Sequence, residues 1–259
     1  STLRPPNIPD HSDDIEEETR RIKLALSTVF TAQSNPTNNE VLSARDVADA
    51  YLTSFQQLPT AWMVCDGLLR EETNVAIEDE AKRFFAAQTL HSKCRFDIHQ
   101  LPVESLPSLR ESILNTLYAY SSKGAEPPNK PLITRLALAI AALSVQMNWT
   151  TAIPDLIQYC SANAEGNNVI WTTLELLSRL PEELNVRISR SSETDIDVYV
   201  GEMRKHGALL FQFLDYCSQQ AQQQQQQQSP NLSSNVSNQI LRQVYYCVDS
   251  HVYFLRVDQ

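Results

Sequence analysis

The chain has 259 residues, 42% of them hydrophobic, and a formal net charge of −10. An acidic surface cannot neutralise phosphates, which sets direct nucleic-acid binding aside and favours basic protein partners. Only 5 glycines occur, with neither GxxxxGK nor GxGxxG, so no glycine-lined phosphate cradle is expected.

Residues 1–15, with Pro5, Pro6 and Pro9, have the character of a flexible leader. Between Glu16 and Ala32 the apolar set Ile22, Leu24, Ala25, Leu26, Val29 and Phe30 has helical spacing, and Glu16, Glu17 and Glu18 suit the first-turn dipole. After a turn at residues 34–39, Val47, Ala50, Tyr51, Ser54 and Phe55 define a helix over about 43–57 that Pro59 stops. Further pairs follow at 60–72 with 76–95, 107–120 with 131–147, and 150–162 with 167–180. The alanines 137, 139, 141 and 142 predict a helix that neighbours approach from several sides. A fifth pair is expected at 193–220 and 237–254. The run Gln222–Gln228 between them extends the preceding helix by a turn or two at most, leaving a disordered glutamine-rich loop at about 219–236.

Leu-Pro stops at 58–59, 101–102 and 180–181 fall at a spacing near ~40 residues or its double, with two helices per unit. The fold expected is all-α, a right-handed α-solenoid of about five HEAT-type helix pairs over residues 16–259.

Chemistry is harder to place. The five histidines form no HExxH and no close pair, and His91 is expected at the surface. The five cysteines include no CxxC, which favours buried free thiols over disulfides or zinc. Glu71-Glu72 and Glu182-Glu183 are expected as solvated caps at helix ends. No nucleophile, base and orienting group converge, so no enzyme, cofactor or metal site is expected. No apolar run reaches 18 residues, so no membrane insertion is expected either.

Five stretches in order, FQQLPTAWMVCDGLL (55–69), FFAAQTLHSK (84–93), LPSLRESIL (106–114), ITRLALAIAALSVQMNW (133–149) and LLSRLPEEL (176–184), resemble nuclear transport receptors of the importin-β superfamily, in the transportin-SR and importin 13 branch. The resemblance covers about residues 40–185 and implies an N-terminal fragment of a longer receptor. It also implies cargo exchange against Ran-GTP, with Ran gripped partly by the second helices of the first repeats. Those helices are here about 43–57, 76–95 and 131–147. Their polar stripes nominate Asp46, Asp49, Gln88, His91, Lys93, Arg135 and Gln146 as Ran-binding candidates, Lys93 matching a lysine that ends the corresponding superfamily helix. Further implied partners are Arg/Ser-rich cargo proteins and Phe-Gly nucleoporins, with shuttling between nucleus and cytoplasm through the pore. The alternative is a HEAT-repeat scaffold of a cytosolic or nuclear complex without a transport role.

Overall fold

Helices make up the regular structure of the chain wherever it is described: eleven α-helices and two single-turn 3-10 segments. The computed structural model describes residues 12–34, 39–71, 77–123, 129–162, 167–188, 193–227 and 233–252. The leader expected at 1–15 lies outside these residues up to position 11, and from Ser12 the chain is already helical. Two compact units result, Ser1–Thr116 and Leu117–Gln259.

In the first unit α1 (Ser12–Ser34) packs on α2 (Asn39–Gln56), and α3 (Ala61–Arg70) packs on α4 (Ile77–Phe96). The turn at Leu58-Pro59 separates the two pairs, closed by the Leu58 amide donating to the Phe55 carbonyl at 2.9 Å. Leu101-Pro102 lies between the 3-10 segments 98–100 and 103–105, ahead of α5 (Leu106–Ser122), whose length spans the division between the units. The expected core of α3 is the observed one, since Trp62, Val64, Cys65, Leu68 and Leu69 are all buried.

The buried stripe of α2 differs from the expected one. Ala48, Leu52 and Phe55 face inward, whereas Val47 is 70% exposed and Ala50 and Ser54 are also exposed. Both stripes have helical spacing, and the residues that pack best against α1 decide which is buried. Leu24 of α1 is likewise exposed.

In the second unit α8 (Asn167–Ile188) is the central element, packed against α6 (Asn129–Gln146), α7 (Ala152–Ala162) and α11 (Ser233–Val252). The buried run of α6 includes Leu136, Ala137, Ala139, Ile140, Ala141, Ala142 and Leu143, which places neighbours on several faces, as its alanines predict. The Met-Asn-Trp segment then stops the helix. Asn148 takes φ 54°, and the Trp149 amide reaches back to the Ser144 carbonyl at 2.8 Å while that of Asn148 reaches Val145 at 3.4 Å. This is a Schellman cap, in which asparagine tolerates the left-handed conformation. The Trp149 indole is buried and donates to Asp155 at 2.7 Å, fixing the start of α7.

Two expected boundaries are wrong. Pro181 does not end α8, which continues to Ile188. A proline inside a helix loses one hydrogen bond and crowds the preceding turn, a cost of about 3 kcal/mol. Buried Leu180 and Leu184 on either side, and ion pairs described below, hold the two halves in line. The single helix expected at 193–220 is instead broken at His206 into α9 (Glu193–Lys205) and α10 (Gly207–Gln227), with Gly207, a poor helix-interior residue, opening the second.

The glutamine run is helical further than expected. α10 carries it to Gln227 and α11 begins at Ser233, so much of the span assigned to a loop is helix, and residues 228–232 lie outside the described ones. Leu210, Phe213, Leu214, Cys217 and Ala221 form the buried stripe of α10. Gln224 takes the next place in that stripe, and its amide exchanges two hydrogen bonds with the Asn167 amide, at 2.9 and 3.1 Å. All five cysteines are buried and free.

Candidate partner-binding site

α2 presents Asp46 and Asp49 outward, where side chains away from the packed stripe must point. Asp46 is exposed, and Asp49 is half-buried and pairs with Arg45 at 3.4 Å. Exposed Val47 and Ala50 follow them directly in sequence, so this side of the helix mixes carboxylates with small apolar groups.

The α4 candidates sit differently. His91 is buried rather than at the surface. Lys93 is 1% exposed, and its ammonium donates to the carbonyls of Gln56 at 3.3 Å and Leu58 at 3.0 Å and to Asp97 at 3.3 Å. It also lies 5.4 Å from the centre of the Trp62 ring. Burial lowers the lysine's pKa, and the Asp97 carboxylate opposes that shift. The Gln56 carbonyl ends α2, and the Leu58 carbonyl, which also accepts the Ala61 amide at 3.1 Å, lies in the turn that follows, so Lys93 caps the end of one helix from another. The Gln56 amide reinforces the junction by donating to Thr89 of α4 at 3.0 Å. Beside it the Cys65 thiol is pushed up to about 12 by burial, which makes it an inert packing group. Gln88 is half-buried, and its side-chain carbonyl oxygen has no hydrogen-bond donor among the described residues.

Arg135 and Gln146 are half-buried near opposite ends of α6, ~16 Å apart along a helix axis by residue rise. They belong to the second unit, whereas the α2 and α4 candidates belong to the first. Within the first unit, Lys93 is the nominated residue placed at the α2–α4 junction, beside the Gln56–Thr89 bond.

The same unit as Arg135 holds a polar cluster that sequence reasoning missed. Arg179 of α8 pairs with Glu175 at 2.7 Å and Glu182 at 3.0 Å, spanning Pro181. Its guanidinium stacks 5.3 Å from the Tyr246 ring of α11, whose hydroxyl donates to Glu182 at 2.5 Å. Thr134 of α6 donates to Glu175 at 2.9 Å, and Gln243 of α11 to Ser178 at 3.1 Å. Glu182 and Glu183 are thus not solvated caps: both lie inside α8, with Glu183 buried. The signal was available in the i, i+4 and i, i+3 spacing of Glu175, Arg179 and Glu182. Of the other pair, Glu71 bonds Lys23 of α1 at 2.6 Å, and Glu72 lies outside the described residues.

A chain built of paired helices, with polar clusters where the second helices of the pairs meet, has the construction of a HEAT-type scaffold. Known families agree on the class and narrow it. Residues 48–119 match the importin-beta N-terminal domain, and residues 129–258 match the exportin 1-like protein family. An uncharacterised protein of Schizosaccharomyces pombe is 34% identical over 75% of this chain and 19% of its own length. The mRNA transport regulator MTR10 of Saccharomyces cerevisiae is 29% identical over 68% of this chain and 16% of its own. Transportin MOS14 of Arabidopsis thaliana is 36% identical over 64% of this chain and 16% of its own. The chain belongs to the importin-β superfamily of karyopherins, and it spans less than a fifth of the length of each of these relatives.

Proposed function

We propose that the chain is the Ran-facing part of a nuclear import receptor that carries protein cargo through the pore and releases it on binding Ran-GTP. The match of residues 48–119 to the importin-beta N-terminal domain carries this proposal, because it covers the second half of α2, all of α3 and α4, and most of α5. The names of MTR10, an mRNA transport regulator, and MOS14, a transportin, support a transport role. Arg/Ser-rich or RNA-related proteins are the proposed cargo, and Phe-Gly nucleoporins the proposed pore contacts. A transport receptor of this kind shuttles between nucleus and cytoplasm.

The nominated residues differ in exposure. Asp46, Asp49, Gln88, Arg135 and Gln146 have side-chain surface to offer a partner. Lys93 and His91 are buried and do not, and Lys93 instead ties α4 to the end of α2. Retention of the chain on immobilised Ran loaded with a GTP analogue, against Ran loaded with GDP, tests the proposal. Preferential retention on the GTP form is expected. Equal retention, or none on either, would leave a scaffold without a transport role as the better account.

A further inference from the structure

One cavity in the second unit is walled by Ile153 of α7, Leu180 and Leu184 of α8, and Val200 and Met203 of α9, and α11 contributes His251 to it. Its free space is about 310 Å³ with the open mouth counted, and its enclosed part is about 20 Å³, room for one water-sized group. Exposed Arg204 marks the side towards solvent. The walls are otherwise apolar, so a ligand there gains by burial and is oriented by the one polar ring, that of His251.

His251 is 2% exposed, and its two nitrogens are in different situations. Burial lowers its pKa, which keeps the ring neutral with a single proton. Nδ1 lies 3.0 Å from the Cys247 carbonyl, which can only accept, so that proton sits on Nδ1. Ser250 does not change this, because its hydroxyl gives its own proton to the same carbonyl at 3.0 Å. Nε2 is therefore a bare acceptor, buried and without a donor among the described residues. Such an acceptor is costly to leave unmade, and a ligand that supplies a donor recovers the cost. We propose that the cavity binds a small uncharged molecule of the phenol class, a hydroxyl on a compact apolar body. The hydroxyl enters the enclosed part and donates to His251 Nε2, while the apolar body lies in the mouth against Leu184, Val200 and Met203. The same atoms select against charge. A carboxylate would set its lone pairs against that of Nε2, and an ammonium would find no carboxylate among the described residues of the lining. An ether of the same shape fills the space but leaves Nε2 without a donor.

The test is a titration of the whole chain, isotope-labelled in its methionine methyl groups, with phenol and with anisole, its methyl ether. The chain has 3 methionines, of which Met203 lines the cavity and Met63 and Met147 do not. A Met203→Leu variant assigns the signal. A saturable shift of Met203 with phenol is expected, about tenfold weaker with anisole, while Met63 and Met147 stay unmoved. His251→Phe should bring the phenol affinity down to that of anisole. Val200→Leu, which narrows the space and keeps the imidazole, should weaken both ligands alike. Urea unfolding checks that the variants are folded, and should His251→Phe fail, the two ligands compared on wild type and Val200→Leu still decide. Equal affinity for phenol and anisole, no saturable shift with either, or phenol affinity unchanged in folded His251→Phe overturns the proposal. So does movement of all the methionine signals together, which would mean adventitious binding only.

Discussion

Lys93 shows how far a side chain's role depends on what its neighbours leave unsatisfied. A lysine ending a helix suggests a surface cation, yet this ammonium is consumed by two carbonyls at and just past the end of α2 and by the Asp97 carboxylate that follows α4. Asp97 four residues on is the local part of that arrangement; the two carbonyls lie more than thirty residues away, and nothing in the local sequence announces them. Lys93→Met removes the ammonium from the Gln56 carbonyl and leaves the Asp97 carboxylate without its cation, so a loss of about 2–4 kcal/mol in urea unfolding is expected. Lys93→Glu should cost more, by adding a negative charge beside them. Unchanged stability in both would show that the junction does not depend on the lysine.

His251 makes a second prediction at this scale. Its Nδ1 donates to the Cys247 carbonyl at 3.0 Å, while Nε2 is buried without a partner among the described residues. Burial lowers its pKa from 6.5 to about 4. The neutral form is therefore favoured in the folded state, and the unfolded chain binds the proton more readily between those values. Its contribution is fully present above pH 6.5 and is lost as pH falls towards 4, by up to about 3 kcal/mol. His251→Phe should flatten the fall in stability over that window, and an identical pH profile for wild type and variant would contradict the assignment.

Elements followed from the sequence where one apolar stripe was unambiguous, as in α3 and α6. They did not where two stripes competed, as in α2, or where long-range contacts overrode a local breaker, as in α8. Pro181 reads as a stop because backbone chemistry says so; Arg179 and the leucines on either side decide otherwise. Arg179→Ala should leave Glu175 buried without its cation and cost about 3 kcal/mol, with faster amide exchange at residues 182–186 than at 170–176. Uniform exchange along α8 would mean that the ion pairs do not hold its last turns. α10 makes the complementary case: glutamines that look like loop become helix because carboxamides on α8 and α11 receive them. A double-mutant cycle of Gln224→Ala and Asn167→Ala should show a coupling of about 1 kcal/mol, and additivity would contradict the pairing.

For the whole molecule, the net charge of −10 and the mixed face of α2 suit a partner with basic patches. The order of the five resembling stretches was already enough to name the superfamily. The roles of the nominated residues were not, because the polar face of a helix in sequence does not distinguish a side chain facing a partner from one capping a neighbouring helix. Ran binding by this chain is the central claim, and a fluorescence titration of the chain into Ran loaded with a GTP analogue or with GDP tests it most directly, alongside the stable variant pair Asp46→Arg and Asp49→Arg. Binding at least about tenfold tighter to the GTP form, weakened by both substitutions with unfolding midpoints unchanged, is predicted. Equal affinity for the two nucleotide forms would contradict it.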